Sequence, residues 1–267
     1  SDVCSSDLQA KGKIVIVNPI EKTFFPNLEE LKKCINSKTK AIIINSPNNP
    51  TGVVYDEQTI IEISTILKDK SKEYNQEIYL ISDEPYRELI YHDIKYPFVT
   101  NYYDNSIVCY SFSKSLSLPG ERIGYIVLSS NMKSVLDVFY SICGSARSIG
   151  FVCAPSLFQY IIPECLGYTS DITIYKKNRE ILTNTLVKFG YEVVNPNGAF
   201  YLFVKALEDD ANSFCETAKK YELLLVPSDS FGYNGYVRIS YCVSEKQIIN
   251  SLPAFEMLIN EYRGRYE

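Results

Sequence analysis

Histidine, paired cysteines and long apolar runs are scarce or missing in this chain of 267 residues. It has one histidine and no C-x-x-C pair among its eight cysteines, which excludes the common zinc-binding patterns. No apolar stretch reaches the roughly 18 residues that a membrane-spanning helix needs. The formal net charge of -5 disfavours nucleic acid and anionic membranes as main partners. The chain is therefore predicted to be soluble and without a metal site.

The cysteines indicate in which kind of cellular compartment the protein is found. Most of them lie in apolar segments such as "SIVCYSF" at 106–112, so we interpret them as reduced thiols buried like small hydrophobic side chains. Free thiols of this kind are typical of a reducing environment, which predicts a cytoplasmic protein. The histidine, His92, lies in the polar segment "IYHDIKYP" and is predicted to be an exposed loop residue.

The first residues differ in character from the rest of the chain. "SDVCSSDL" at 1–8 has no hydrophobic periodicity, and no apolar signal core follows it. We interpret 1–8 as a non-native leader and exclude it from the fold prediction. Hydrophobic residues make up 46% of the chain and charged residues 22%, an ordinary globular mixture with enough material for a substantial core.

From residue 9 to 168 the pattern alternates between strands and helices. Strands are predicted at 13–18, 40–45, 77–84, 106–113 and 122–129. Between them, 27–36 and 56–75 have helical spacing, with Asn27 as the expected N-cap of the first. Such alternation predicts a large α/β domain with a mostly parallel central sheet flanked by helices. Helices at 131–144 and 151–164 follow.

From residue 169 to 267 a smaller α+β domain is predicted. A long helix near 169–189 leads into it, and further helices are expected at 210–222 and 244–262. Two short strands, 198–204 and 236–242, complete the prediction.

Polar groups follow three buried strands of the predicted sheet. "SPNNPTG" follows 40–45, "SDEPY" ends 77–84, and Lys114 comes just after 106–112. In an open α/β sheet, ligands gather at the carboxyl ends of the strands. We therefore expect an amide, a carboxylate and an amine to converge there.

These groups suit one cofactor. A strand-end lysine in apolar surroundings is a candidate to form an imine with an aldehyde. Pyridoxal phosphate supplies an aldehyde, a ring nitrogen that needs a carboxylate, and a phosphate that needs several donors. Asp83, Ser111 and Arg122 meet those needs. Taken singly, Asp83, Arg122 and Lys114 have plainer explanations as a cap, a surface ion pair and a solvated loop cation, but their joint order favours the cofactor.

The segment "SFSKSLSLPGERIGY" at 111–125 closely resembles the cofactor-lysine signature of the class I/II aminotransferases, the fold-type-I pyridoxal-phosphate enzymes. "NNPTG" at 48–52 and "SDEPYREL" at 82–89 resemble two further motifs of that family. "NPNGAFYLF" at 195–203 and "YVRISY" at 236–241 resemble motifs of its small domain. The resemblance extends from about residue 11 to the end and implies the pyridoxal-phosphate transferase fold of type I.

The resemblance also implies residue roles around the cofactor ring. Lys114 forms the Schiff base and, once displaced by substrate, moves the proton between substrate and cofactor. Asp83 pairs with the ring nitrogen, while Asn49 and Tyr86 hydrogen-bond the phenolic oxygen of the ring.

Further roles concern the phosphate and the substrate. Ser111 and Arg122 bind the phosphate, with Ser113 as an assistant. Arg238 binds the α-carboxylate of the substrate through two hydrogen bonds; the plainer alternative is an arginine on a solvated strand face.

Several other residues receive structural interpretations. Gly52 and Gly124 are expected to serve turns or close backbone approach, and Pro50 is a candidate for a cis peptide bond. The tyrosines of "FGYNGY" at 231–236 either line the substrate pocket or pack in the core. Arg147 is a candidate for a side-chain contact, although a surface charge is the favoured interpretation.

The resemblance implies a protein longer than this chain. Family members begin earlier, with a phosphate-binding loop and a ring-stacking aromatic that find no match in 1–40. The large-domain sheet is thus expected to be incomplete, and this chain alone unstable and inactive.

The implied activity is transfer of an amino group between an amino acid and a 2-oxo acid by a homodimer. Two alternatives stay open: a carbon–sulfur β-lyase on the same fold, and the effector-sensing domain of a transcription regulator.

Overall fold

The computed structural model describes residues 12–92 and 94–266. The leader interpretation for 1–8 therefore falls outside the described residues. Among the described residues, no helix combines the length and the apolar character needed to cross a bilayer.

The first sheet carries the three predicted strand ends. It contains β1 (Ala41–Asn45), β2 (Tyr79–Asp83), β3 (Ser106–Ser111) and β4 (Gly124–Leu128), in that spatial order. The first three strands are parallel, and β4 is antiparallel to β3. The β3–β4 connection, 112–123, contains only one short helix and returns the chain in the antiparallel direction. The predicted α/β class with a mostly parallel sheet is confirmed.

Two helices that flank this sheet begin at the residues that the sequence indicates. Helix α1 (Leu28–Cys34) is capped by Asn27, whose side chain accepts from the amide of Glu30. Helix α2 (Glu57–Glu73) is capped in the same way by Asp56. Such caps satisfy amides that the first turn leaves without a partner.

The strand predicted at 13–18 is wrong. Residues 12–18 have no regular secondary structure, and only an isolated bridge joins Pro19 to Pro26. Val15 and Ile16 are 53% and 61% exposed. A strand needs a neighbour to pair its backbone groups, and no strand in the described part of the chain pairs with this segment.

Helices dominate the middle of the chain. They are α3 (Phe112–Ser115), α4 (Val135–Ser148), α5 (Ser156–Ile161) and α6 (Ile172–Phe189), with a 3-10 turn at Ile162–Cys165. Helix α6 ends at Gly190, whose φ of 100° suits a residue without a side chain.

A second sheet follows. It contains β5 (Val193–Val194), β6 (Tyr201–Lys205), β7 (Val226–Pro227) and β8 (Tyr236–Ser240), in the antiparallel order β5-β6-β8-β7. Helices α7 (Ala211–Lys219) and α8 (Glu245–Tyr266) accompany it. The sequence predicts β6, β8 and both helices; β5 and β7 have two residues each, too short for a periodic pattern.

The buried residues form two main clusters. One lies around the first sheet and α2, and includes Ile63, Leu67 and Leu80. The other joins the second sheet to α6 and α8. Phe203 of β6 belongs to the first cluster, so the two sheets share apolar contacts.

The cysteines are less buried than predicted. All seven in the described residues are free thiols, but only Cys215 is buried, and Cys153 and Cys242 are exposed. The apolar segment around Cys153 lies on the surface, where Val152 is 72% exposed. Local hydrophobicity alone therefore misplaced these thiols.

Candidate active site

Parallel pairing places the polar strand ends side by side. Asn45 at the end of β1 is level with Asp83 at the end of β2, which is level with Cys109 of β3. Lys114 lies just beyond β3, in the single turn of α3. The amide, the carboxylate and the amine therefore follow the same edge of the sheet, as the sequence predicts.

Asn45 is a site residue that the sequence interpretation missed. Its Nδ2 donates to the carbonyl oxygen of Asp83 at 2.9 Å and to Oδ2 of the same residue at 3.3 Å. Its Oδ1 accepts from the amide of Asn49 at 2.8 Å. One side chain thus positions both the carboxylate and the following loop. Its position at the end of a predicted strand, directly before "SPNNPTG", was the available signal.

The loop after β1 contains two cis peptide bonds, Ser46–Pro47 and the predicted Asn49–Pro50. Gly52 has a φ of 71°, and a Cβ there would lie 2.4 Å from Pro196 Cβ. Its carbonyl accepts from the amides of Asn197 and Gly198, each at 2.9 Å. The expected backbone role of Gly52 is confirmed, because only glycine permits this approach.

Arg238 on β8 reaches this loop from the second sheet. Its Nη1 donates to Oδ1 of Asn49 at 2.9 Å. The guanidinium carbon lies 4.5 Å from the centroid of the Tyr201 ring and 4.8 Å from that of Phe231. Its Nε is buried and has no hydrogen-bond partner among the described residues. A buried donor without a partner is costly, which favours an anionic ligand at this guanidinium.

Tyr86 occupies the turn after β2. Its hydroxyl lies 3.1 Å from that of Tyr201, and its ring meets Phe200 edge to face at 5.6 Å. Burial and the neighbouring Tyr201 hydroxyl raise the pKa of Tyr86 well above its usual value. Tyr86 therefore stays protonated and able to donate a hydrogen bond at neutral pH.

Lys114 closes this set of contacts. Its Nζ lies 5.5 Å from the centroid of the Phe200 ring. Contacts thus run from Lys114 through Phe200, Tyr86 and Tyr201 to Arg238. They continue through Asn49 and Asn45 to Asp83. We call this sequence of contacts the contact chain; it brings together five of the predicted site residues.

The predicted phosphate residues lie at the turn after β3. Ser111 Oγ donates to Ser113 Oγ at 2.7 Å and accepts from the Ser113 amide. Arg122 is exposed, has a φ of 53°, and donates through Nη1 to the carbonyl of Pro119 at 2.8 Å. The structure therefore brings Ser111 and Ser113 together but engages Arg122 with its own turn.

The backbone packs so closely at Gly124 that this position needs a glycine. A Cβ at Gly124 would lie 2.2 Å from the carbonyl oxygen of Tyr110. The β3–β4 ladder pairs Gly124 with Ser111, so the close approach holds the serine turn against β4. The expected backbone role is confirmed.

The remaining candidates have mixed outcomes. His92 is exposed as predicted, but its Nε2 lies 3.2 Å from Arg179 Nη2. Arg147 is an exposed residue of α4, in agreement with the favoured surface interpretation. In 231–236, Phe231 lies on Arg238, whereas Tyr233 and Tyr236 pack edge to face on Phe24.

A cleft of about 670 Å³ borders the contact chain at Asn45 and Asn49, and Phe231, which packs on Arg238, also lines it. Its size is that of a site for a small organic ligand. No group of three or more metal-ligating side chains occurs within the described part of the chain. The contact chain itself joins an amine, a carboxylate, a phenol and a guanidinium, a set suited to an aldehyde cofactor and a carboxylate substrate.

Comparison with known proteins identifies the family. The model of the aminotransferase class I and II family matches residues 6–254. The chain belongs to this family. The aspartate aminotransferase of Thermotoga maritima is 32% identical over 257 residues, which cover 94% of this chain and 64% of that protein.

Solved aminotransferase structures share the fold. An aminotransferase from Eubacterium rectale is 50% identical, with a TM-score of 0.93 over 96% of this chain and 64% of its own. The aromatic aminotransferase of Pyrococcus horikoshii is 28% identical, with a TM-score of 0.80 over 94% of this chain and 68% of its own. The chain thus has the fold of the type I pyridoxal-phosphate aminotransferases and spans about 64% of the length of the first relative and of the first structure.

Proposed function

We propose that the protein is a pyridoxal-phosphate-dependent aminotransferase that moves an amino group between an amino acid and a 2-oxo acid. The observation that carries the proposal is the contact chain, which joins the amine of Lys114 to the guanidinium of Arg238 and the carboxylate of Asp83. Membership of the aminotransferase class I and II family supports it.

The donor set fits the cofactor. Pyridoxal phosphate, when bound, supplies an aldehyde that condenses with amines and a ring that withdraws electrons. Asp83, oriented by Asn45, would hold the ring nitrogen protonated. Tyr86, which keeps its proton, and Asn49 would hydrogen-bond the phenolic oxygen of the ring. Ser111, with Ser113 and Arg122, would bind the phosphate.

Lys114 has two tasks in this proposal. Its amine holds the cofactor in the resting enzyme. Once displaced by substrate, the freed amine would serve as the acid–base group that takes up the proton of the substrate α-carbon and delivers it to the cofactor side. The apolar face of Phe200 beside Nζ limits water around that amine.

Arg238 would bind the α-carboxylate of the substrate. Its planar guanidinium can donate two parallel hydrogen bonds, and its buried Nε is available for one of them. Tyr201 and Phe231 pack on the guanidinium and fix its plane. The substrate is therefore oriented before reaction.

The replacement Lys114→Ala tests the proposal in the full-length gene product. We expect wild type to show the absorption band of covalently bound cofactor, and amino acids from a panel to convert that band. Lys114→Ala should lose the band and turnover, since no other side chain replaces its amine. Lys133→Ala, an exposed surface lysine, is the control.

Three outcomes would contradict the proposal: turnover by Lys114→Ala, no cofactor binding by wild type, or turnover that needs no 2-oxo acid. The last result would instead favour the carbon–sulfur β-lyase.

Three further proposals accompany this function. A homodimer is supported by a large exposed apolar surface on the segment 135–168. A cytoplasmic location is supported by the seven free thiols in the described residues. The domain bounds 9–168 and 169–267 are supported by the division of the strands into two sheets.

A further inference from the structure

A buried carboxylate outside the contact chain lies directly after Asp83. Glu84 is fully buried, and its Oε2 accepts from Arg87 Nη1 at 3.2 Å. Its amide donates to the carbonyl of Cys109 at 2.9 Å, which joins the ends of β2 and β3. A buried carboxyl group needs a hydrogen-bond partner, so Glu84 restricts where the Arg87 guanidinium lies.

Arg87 extends from the turn after β2 across to the β3–β4 hairpin. Its Nη2 donates to the hydroxyl of Tyr125 at 2.6 Å, and its guanidinium carbon lies 4.5 Å from the Tyr110 ring centroid. The two rings are stacked with centroids 4.7 Å apart. One guanidinium therefore holds a ring of β3 and a ring of β4 through different interactions.

Tyr110 connects Arg87 to the turn that carries Lys114. Its hydroxyl lies 2.7 Å from Ser115 Oγ, and both groups are buried. Ser115 is the neighbour of Lys114 in the four-residue helix α3. Because so short a helix has little stability of its own, contacts from outside must hold it in place.

We propose that Arg87 is a positioning residue for Lys114. Anchored on Glu84, it holds the stacked Tyr110–Tyr125 pair, and through Ser115 this pair fixes the turn that carries the lysine. The inference rests on the proposed role of Lys114.

Hydrogen exchange tests the positioning role in the full-length gene product without cofactor. The variants are Arg87→Met, which removes the contacts of the guanidinium with Glu84, Tyr110 and Tyr125, and Tyr125→Phe, which removes only the hydrogen bond to Tyr125. We expect amides 111–116 to exchange about tenfold faster in Arg87→Met, with a smaller effect in Tyr125→Phe. Amides 57–73 of α2 should be unchanged. Lys133→Met, which breaks the exposed pair with Glu77, is the control and should alter neither segment.

Kinetics of the cofactor-loaded enzyme give a second measurement. In Arg87→Met we expect kcat to fall about tenfold while KM for the amino acid stays within about twofold, because Arg238 is untouched. The value of kcat is calculated per bound cofactor, because a variant that merely lost active enzyme would lower the apparent kcat and also leave KM unchanged.

The outcomes test the positioning role of Arg87 and the proposed function separately. Unchanged exchange at 111–116 in both variants would overturn the positioning role, and so would uniformly faster exchange across the chain. If Arg87→Met does not fold, the Tyr125→Phe result decides. Failure of wild type to bind pyridoxal phosphate would overturn the proposed function, while the exchange result would still decide whether Arg87 holds the turn.

Discussion

Arg238 lies between the rings of Tyr201 and Phe231, with one hydrogen bond to Asn49 and a buried Nε that has no partner among the described residues. This environment keeps the guanidinium in one plane, so a carboxylate that arrives needs little rearrangement. At the scale of residues, the orientation of this group is the main contribution of the second sheet to the proposed chemistry.

Arg238→Gln should weaken substrate use. Charge-assisted hydrogen bonds contribute about 1.5–3 kcal/mol each, so we expect kcat/KM for amino acids to fall at least about 100-fold. Steady-state kinetics on the full-length gene product measure this. Lys205→Gln, an exposed cation on the neighbouring strand, should change kcat/KM by less than about twofold. Equal losses in the two variants would contradict the assigned role.

At the scale of elements, the β3–β4 hairpin holds the lysine turn through backbone contact. Gly124→Ala would place a methyl group 2.2 Å from the Tyr110 carbonyl oxygen. We expect the free energy of unfolding to fall by about 1–3 kcal/mol, measured by denaturant titration.

Gly144→Ala provides the matched control. This glycine lies within α4 and has no atom within 4 Å of an added Cβ. Alanine favours a helix by up to about 1 kcal/mol over glycine, so stability should stay equal or rise. A Gly124→Ala protein as stable as wild type would show that β4 shifts to accommodate the methyl group.

Sequence patterns predicted a helix or strand well where the residues of that segment alone determine it. Asn27 and Asp56 mark the starts of α1 and α2 because a cap is a local hydrogen bond. The strand predicted at 13–18 failed because pairing depends on a partner that no local pattern reveals.

The sequence indicated the candidate site residues but not the side chains that position them. Lys114, Asp83 and Arg238 stand out by residue type and motif. Asn45 and the Glu84–Arg87 pair act across strands, so their roles emerge only when the chain is folded.

At the scale of the whole molecule, the feature that most needs a covering partner is the exposed apolar surface on 135–168. The exposed large apolar side chains there are Leu136, Phe139, Tyr140, Ile149, Phe151, Val152, Leu157, Tyr160, Ile161, Leu166 and Tyr168. So many large apolar groups in one segment are typical of a surface that another chain or segment covers.

Leu157→Glu tests the proposed dimer. Leu157 is 64% exposed, and a carboxylate buried there without a partner is costly. We expect the dissociation constant of the full-length dimer to rise at least about tenfold, measured by sedimentation equilibrium.

Leu224→Glu is the control, because Leu224 is 83% exposed but lies outside 135–168. A monomeric wild type, or an equal effect of the two substitutions, would refute the assignment of this surface to a dimer.

The hydrogen bond between Arg238 and Asn49 has a thermodynamic consequence. In the proposed function, Arg238 binds the substrate and Asn49 binds the cofactor ring. Substrate and cofactor therefore each contact one partner of the same hydrogen bond. Coupling of this kind is reciprocal. Any factor by which substrate changes the affinity for the cofactor must equal the factor by which cofactor changes the affinity for substrate.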